Sequence, residues 1–335
     1  MASRRRQADE QGTLFELPAL KVEPAAFDAE KFALANALPR DVQLGGMTWA
    51  YAGWAGKVYA LGTREKQMVS HGLAAYAQHP LMRCVELDRT YYEPLPVIDL
   101  MAMAEQVPSD FRFVVKAHED CVVRRYPLHA RYGAKRGLDN PLFLDPAYAT
   151  SVVVEPLIEG FGDKLGAVLF QFPPQDISEP ARFAERLHAF LSRLPKGVHY
   201  TIELRNPELL TRAYGQALEA SGALHCASAW TTMPSVLAQA RVVPPRARNP
   251  LFVRWLLRPG ERYEEAQARF LPFSRLVEED IVTRTSIATL VAKAHAHGVP
   301  ATVLVDNKAE GCAPDSIALL ARAIVDSITA EARTR

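Results

Sequence analysis

Eight apolar runs of strand length, most of them separated by amphipathic stretches, leave few folds open to this chain. They are 47–53 ("MTWAYAG"), 83–88 ("RCVELD"), 111–117 ("FRFVVKA"), 166–172 ("GAVLFQF"), 198–204 ("VHYTIEL"), 223–228 ("ALHCAS"), 251–256 ("LFVRWL") and 301–307 ("ATVLVDN"). Eight strands, each followed by a helix or a long loop, is the count of a TIM-like (β/α)8 barrel. The sixth run is the weakest strand, and an open doubly wound sheet is the alternative reading of the same alternation. Two of the intervening helices are plain in the pattern. Phe183, Leu187, Phe190, Leu191 and Leu194 share one helical face, and a second helix runs from Glu278 to His297 and stops at Gly298. With 335 residues, 49% of them hydrophobic, the chain can build one barrel-sized core.

Side chains alternate along a strand, so the parity of charged residues within these runs carries information. In "HYTIELR" the face with Tyr200, Ile202 and Leu204 suits packing against helices. The opposite face carries Thr201, Glu203 and Arg205, and in a barrel it points inward. The same parity puts Glu86 and Asp88, Lys116, Gln171 and Arg254 on inward faces near the ends of their strands, while the eighth run ends in Asp306 and Asn307. Charged residues are rarely buried without a partner or a task. Strand ends that converge on one mouth are where a barrel builds its active site. We therefore take Glu203, Glu86 and Lys116 as candidate catalytic groups, and Arg205, Arg254, Gln171, Asn307 and Tyr92 as candidate substrate-binding groups. Two inward carboxylates suit acid/base chemistry, with Glu203 as base or nucleophile. Arginines and lysines at one mouth suit a small polar, anionic substrate: a phosphate, a carboxylate or a sugar-like molecule. The segment after the third run adds Arg124, Arg125, Arg131, Lys135 and Arg136, which would make that mouth electropositive.

Several classes are unsupported. Net charge is +1, so bulk charge announces no nucleic-acid partner. The four cysteines, Cys84, Cys121, Cys226 and Cys312, show no C-x-x-C spacing, and thiols so far apart suggest a reducing compartment. No apolar run is long enough for a membrane span, and no apolar region follows the basic start "MASRRRQADE", so a cytoplasmic protein without a signal peptide is expected. There is no phosphate loop, nucleophile elbow or dinucleotide fingerprint, and no regular ligand spacing; neither a cofactor nor a metal is expected.

Ordered blocks along the chain resemble a known family. "GWAGKVY" (53–59), "VELDRTYY" (85–92), "FRFVVKAH" (111–118), "DKLGAVLFQFPP" (163–174), "IELRNPE" (202–208) and "DNKAEGCAPDSIALL" (306–320) follow in sequence the pattern of the YecE-like family, domain of unknown function 72. The resemblance spans roughly residues 45–325 and implies a TIM-like barrel; it implies no established activity. It also implies a shared polar mouth of Glu86, Tyr92, Lys116, Gln171, Glu203, Arg205, Arg254 and Asn307. The chain departs from the pattern at "YAGW", and at "RWLLRPG", where Leu256 and Leu257 stand in place of a His-Gly.

Residues 1–44 read as a flexible N-terminal tail ahead of a barrel over 45–330. Within the tail, "QGTLF" matches the Q-x-x-L-F pattern of segments that dock into the bacterial sliding clamp, with Gln11, Leu14 and Phe15 as the contact residues. A DNA-maintenance protein tethered through that tail is thus an alternative to a barrel enzyme, and a barrel that binds a ligand without turnover is a third reading.

Overall fold

The computed structural model describes residues 21–245 and 250–334. Eight parallel strands form a closed barrel in chain order: β1 (Val42–Gly46), β2 (Cys84–Leu87), β3 (Arg112–Lys116), β4 (Leu165–Phe172), β5 (Tyr200–Leu204), β6 (Leu224–Ala229), β7 (Leu251–Trp255) and β8 (Ala301–Val305). β8 pairs with β1 from Val42↔Ala301 to Gly46↔Val305, which closes the ring and excludes the open sheet. The expected sixth strand is present, shifted by one residue.

Parity divides the core in two. Outward residues such as Val115, Phe170, Ile202 and Val303 pack under the helices, whereas Cys84, Val114, Ala167, Leu169, Cys226, Phe252 and Leu304 fill the inside. The helix Pro180–Ser192 buries Phe183, Leu187, Phe190 and Leu191, the stripe its sequence shows. The helix Ile281–Ala296 starts at Asp280, whose carboxylate accepts from Thr283 N–H. His225 points outward and is held between Tyr214 Oη (3.0 Å) and Gln239 Oε1 (3.2 Å), a wall position remote from the mouth. No described helix is long and apolar enough to cross a membrane.

The first strand differs from the sequence expectation. It is "VQLGG", upstream of "MTWAYAG"; the chain leaves the barrel at Gly46 and turns through a short 3-10 helix at Ala52–Trp54. Two glycines disguise β1, because glycine weakens a strand's local signal. They are there for space: a Cβ on Gly45 would sit 2.0 Å from the Cys84 carbonyl oxygen. The tail boundary moves with it. Residues 21–44 carry the start of β1, a helix at Ala29–Ala37 and a bridge from Pro24 to Tyr59. Arg83 fastens this region by donating to the carbonyls of Ala35, Leu38, Pro39 and Val42. Gln11, Leu14 and Phe15 lie outside the described residues.

Because the neighbour at Gly45 is backbone, the barrel cannot yield locally to a side chain there. Gly45→Ala is expected to lower unfolding free energy by about 3 kcal/mol or more, the upper end for overpacking. Denaturant unfolding checks this, and a loss below about 1 kcal/mol would contradict it.

Candidate functional site

Arg254 on β7 and Glu203 on β5 both point into the barrel, one layer above the apolar filling. Arg254 binds Glu86 in a fork: Nε donates to Oε2 at 2.9 Å and Nη2 to Oε1 at 2.7 Å. Its Nη1 donates to Glu203 Oε2. Glu203 Oε1 lies 2.5 Å from Arg205 Nε, completing a chain Glu86–Arg254–Glu203–Arg205. All four residues are buried, and their formal charges cancel. Such a network is tolerable inside a barrel because each charge faces its opposite.

The environment separates the two carboxyls. Burial pushes Glu86 up to about 7, outweighing Arg254. Burial acts on Glu203 in the same direction, but Arg205 and Arg254 overcome it and hold that carboxyl below its usual range. Arg254, despite burial, is held more firmly charged than an ordinary arginine by Glu203 and Glu86.

Above this layer opens a cavity of about 460 Å³ at the C-terminal ends of the strands. Glu86 and Arg254 reach its floor, and Lys116, Gln171, Arg205 and Asn307 line it with Tyr92 at the rim. Seven of the eight residues singled out in the sequence thus meet in one place. Glu203 does not line the cavity. The expected role of base or nucleophile does not suit that placement, since Glu203 lies beneath the cavity and Arg205 and Arg254 hold its carboxyl below the usual range.

Arg205 is fixed from two sides. Its Nε meets Glu203, and its guanidinium lies over the Trp230 ring at 3.8 Å from the centroid. Its two terminal nitrogens have no protein acceptor among the described residues and belong to the cavity wall. Lys116 Nζ donates to Asp88 Oδ1 at 2.6 Å and lies over the Tyr91 ring. Asn307 follows β8, and its Oδ1 accepts from Trp54 Nε1 (3.0 Å) and Ala313 N–H (2.9 Å), which leaves Nδ2 as a donor. Next to it Lys308 pairs with Asp306 at 3.0 Å. Burial alone would lower the Lys308 amine, but Asp306 outweighs it and the pKa rises above its ordinary value.

Trp230, Tyr263 and Lys308 are among the lining residues that the sequence did not point to. Trp230 directly follows β6, a position that marks barrel sites. Lys308 sits inside the "DNKAEGCAP" segment. Tyr263 opens a helix far from any strand end, where no local signal exists. The basic segment after β3 does not supply the expected charge. Arg124 binds Gln175 and Asp176, Arg125 pairs with Asp139, Arg131 with Glu119, Lys135 covers Tyr126 and Arg136 caps Gly133. None of the five lines the cavity; only Arg131 comes near, over the Tyr92 ring. The lining charges are Lys116, Arg205, Arg254 and Lys308 against Glu86, Asp88 and Asp306, a surplus of one positive charge. Among the described residues, no cluster of three His, Cys, Asp or Glu is arranged to hold a metal.

Among curated proteins, none matches this chain. Solved structures that share its fold include two DUF72 family proteins. A DUF72 family protein of Thermotoga maritima aligns at 20% identity and a TM-score of 0.55, covering 85% of this chain and 99% of its own. A DUF72 family protein of Enterococcus faecalis aligns at 16% identity and a TM-score of 0.53, covering 86% and 95%. At these identities the likeness speaks for the barrel alone. The family model described as protein of unknown function DUF72 matches residues 43–334, from the first barrel strand through the last helix, and the chain belongs to that family.

Proposed function

We propose that this barrel is an enzyme that holds a small anionic substrate on Arg205 and moves a proton through Glu86. The observation that carries the reading is Arg205 itself. It is 5% exposed, aimed by Glu203 and Trp230, and keeps two donors for something that enters the cavity. A guanidinium with its terminal nitrogens presented side by side matches a carboxylate or a phosphate. Gln171, Lys116 and Asn307 Nδ2 supply further donors around it. In this reading Glu203 is a positioning group, holding Arg205 and Arg254 in place by charge.

Glu86 is the proton carrier because it reaches the cavity floor and titrates near neutrality, where a carboxyl can both give and accept a proton. The same property couples anion binding to pH. Below about 7 Glu86 is neutral, and one negative charge leaves the cavity floor. An anion is then repelled less, so its affinity rises as pH falls.

Sulfate is a suitable probe, since its charge is constant over this range. Its affinity, read by calorimetric titration, is expected to rise between about pH 8 and about pH 6. Glu86→Gln should bind sulfate with no such pH dependence. Arg205→Met should bind it about tenfold more weakly or worse, as expected for losing a charged hydrogen bond. Sulfate binding that ignores Arg205 would overturn the reading. For any substrate found by incubation with a metabolite pool and mass detection, Glu86→Gln should lower kcat by about 10²–10⁴-fold. Full turnover by that variant would remove Glu86 from the chemistry.

A further inference from the structure

Two Lys–Asp pairs stand in the cavity wall, and they have the same unfinished hydrogen bonding. Lys116 engages only Oδ1 of Asp88, and Asp88 Oδ2 has no protein partner among the described residues. Asp306 uses Oδ1 for both the Lys308 backbone N–H (2.7 Å) and the Lys308 amine (3.0 Å), again leaving Oδ2 free. All four residues line the cavity. Each pair is internally neutral, so it offers an anion little net attraction. What it does offer is a strong acceptor beside a strong donor.

That combination fits a hydroxyl group, which is both donor and acceptor, and better still two hydroxyls on neighbouring carbons. One O–H donates to the free carboxylate oxygen while another oxygen accepts from the ammonium. Gln171 and the free Nδ2 of Asn307 add groups of the same mixed kind. The aromatic side chains Trp230, Tyr263 and Tyr51 also line the cavity, which suits the C–H faces of a polyol. Among the described residues, Arg205 remains the one lining cation with two terminal nitrogens unspent on protein.

Building on the anion site proposed above, we propose that the substrate is a polyhydroxylated anion, a sugar phosphate or a sugar acid. Arg205 takes its anionic head, and the pairs Lys116–Asp88 and Lys308–Asp306 read its hydroxyls. The pairs then serve specificity, while Arg205 serves attraction. The neutrality of the pairs has a further consequence: it denies strong binding to anions that lack hydroxyls.

A calorimetric panel tests this on the intact chain. Aldose phosphates and aldonates of three to six carbons are compared with alkyl phosphates and alkanoates of equal length. At least one polyol is expected to bind about tenfold or more tightly than its alkyl counterpart, the gain from one or two charged hydrogen bonds. Asp306→Asn and Asp88→Asn should each erase much of that preference. Both should leave alkyl anion binding equal or tighter, because each removes a negative charge. A merely structural role would weaken both ligand series together and lower the melting temperature. Polyols that all bind within about twofold of their alkyl counterparts would overturn the inference and leave the anion site standing. If neither series binds in a way that depends on Arg205, the anion site itself fails.

Discussion

Arg254 sits inside the barrel with a carboxylate on each side, and the mouth is organised from that point. A lone guanidinium at this depth would be expelled at a cost of several kcal/mol. Glu86 and Glu203 make its burial tolerable, and Arg205 in turn neutralises Glu203. The four groups come from β2, β5, β7 and the residue just past β5, so one electrostatic chain spans the barrel. It also forms the cavity floor, which ties the shape of the site to the integrity of the fold. Removing Arg254 strands Glu86, and removing Glu203 strands Arg205, in a place water reaches poorly.

The chain of charges is not symmetric, and the asymmetry sets its two carboxyls apart. Glu203 lies between two arginines and is held ionised, whereas Glu86 has one arginine and the full effect of burial. The same residue type therefore serves as a fixed support at one position and as a group that titrates near neutrality at the other. The arginines divide similarly. Arg254 spends its donors on Glu86, Glu203 and the Met47 sulfur, and Arg205 keeps two for the cavity. Two Lys–Asp pairs and a partly aromatic wall then give that cavity its chemical character.

Much of this was legible in the sequence because barrels enforce period-two alternation. Glu86, Lys116, Gln171 and Arg254 declare their inward direction by parity with apolar neighbours, and the structure gathers them at one mouth. Alternation says nothing of depth. Glu203 and Arg205 share a face, yet one lies beneath the cavity and the other lines it, a difference set by side-chain reach and by Arg254 lying alongside. Nor could local pattern find β1, where Gly45 leaves room for Cys84, or Tyr263, brought to the cavity by a helix rather than by a strand end. The basic segment after β3 misled for a similar reason. Its charges are answered by Glu119, Asp139 and nearby backbone carbonyls, contacts that composition does not reveal.

Glu203 is held as a buried ion, and its charge positions the arginines beside it. Unfolding of Glu203→Gln in denaturant measures this most directly, since the change preserves shape and removes only charge. A loss of about 3–5 kcal/mol is expected, the cost of leaving a buried guanidinium without its partner. A variant within about 0.5 kcal/mol of the parent would contradict it, and would mean that the arginines do not depend on that charge.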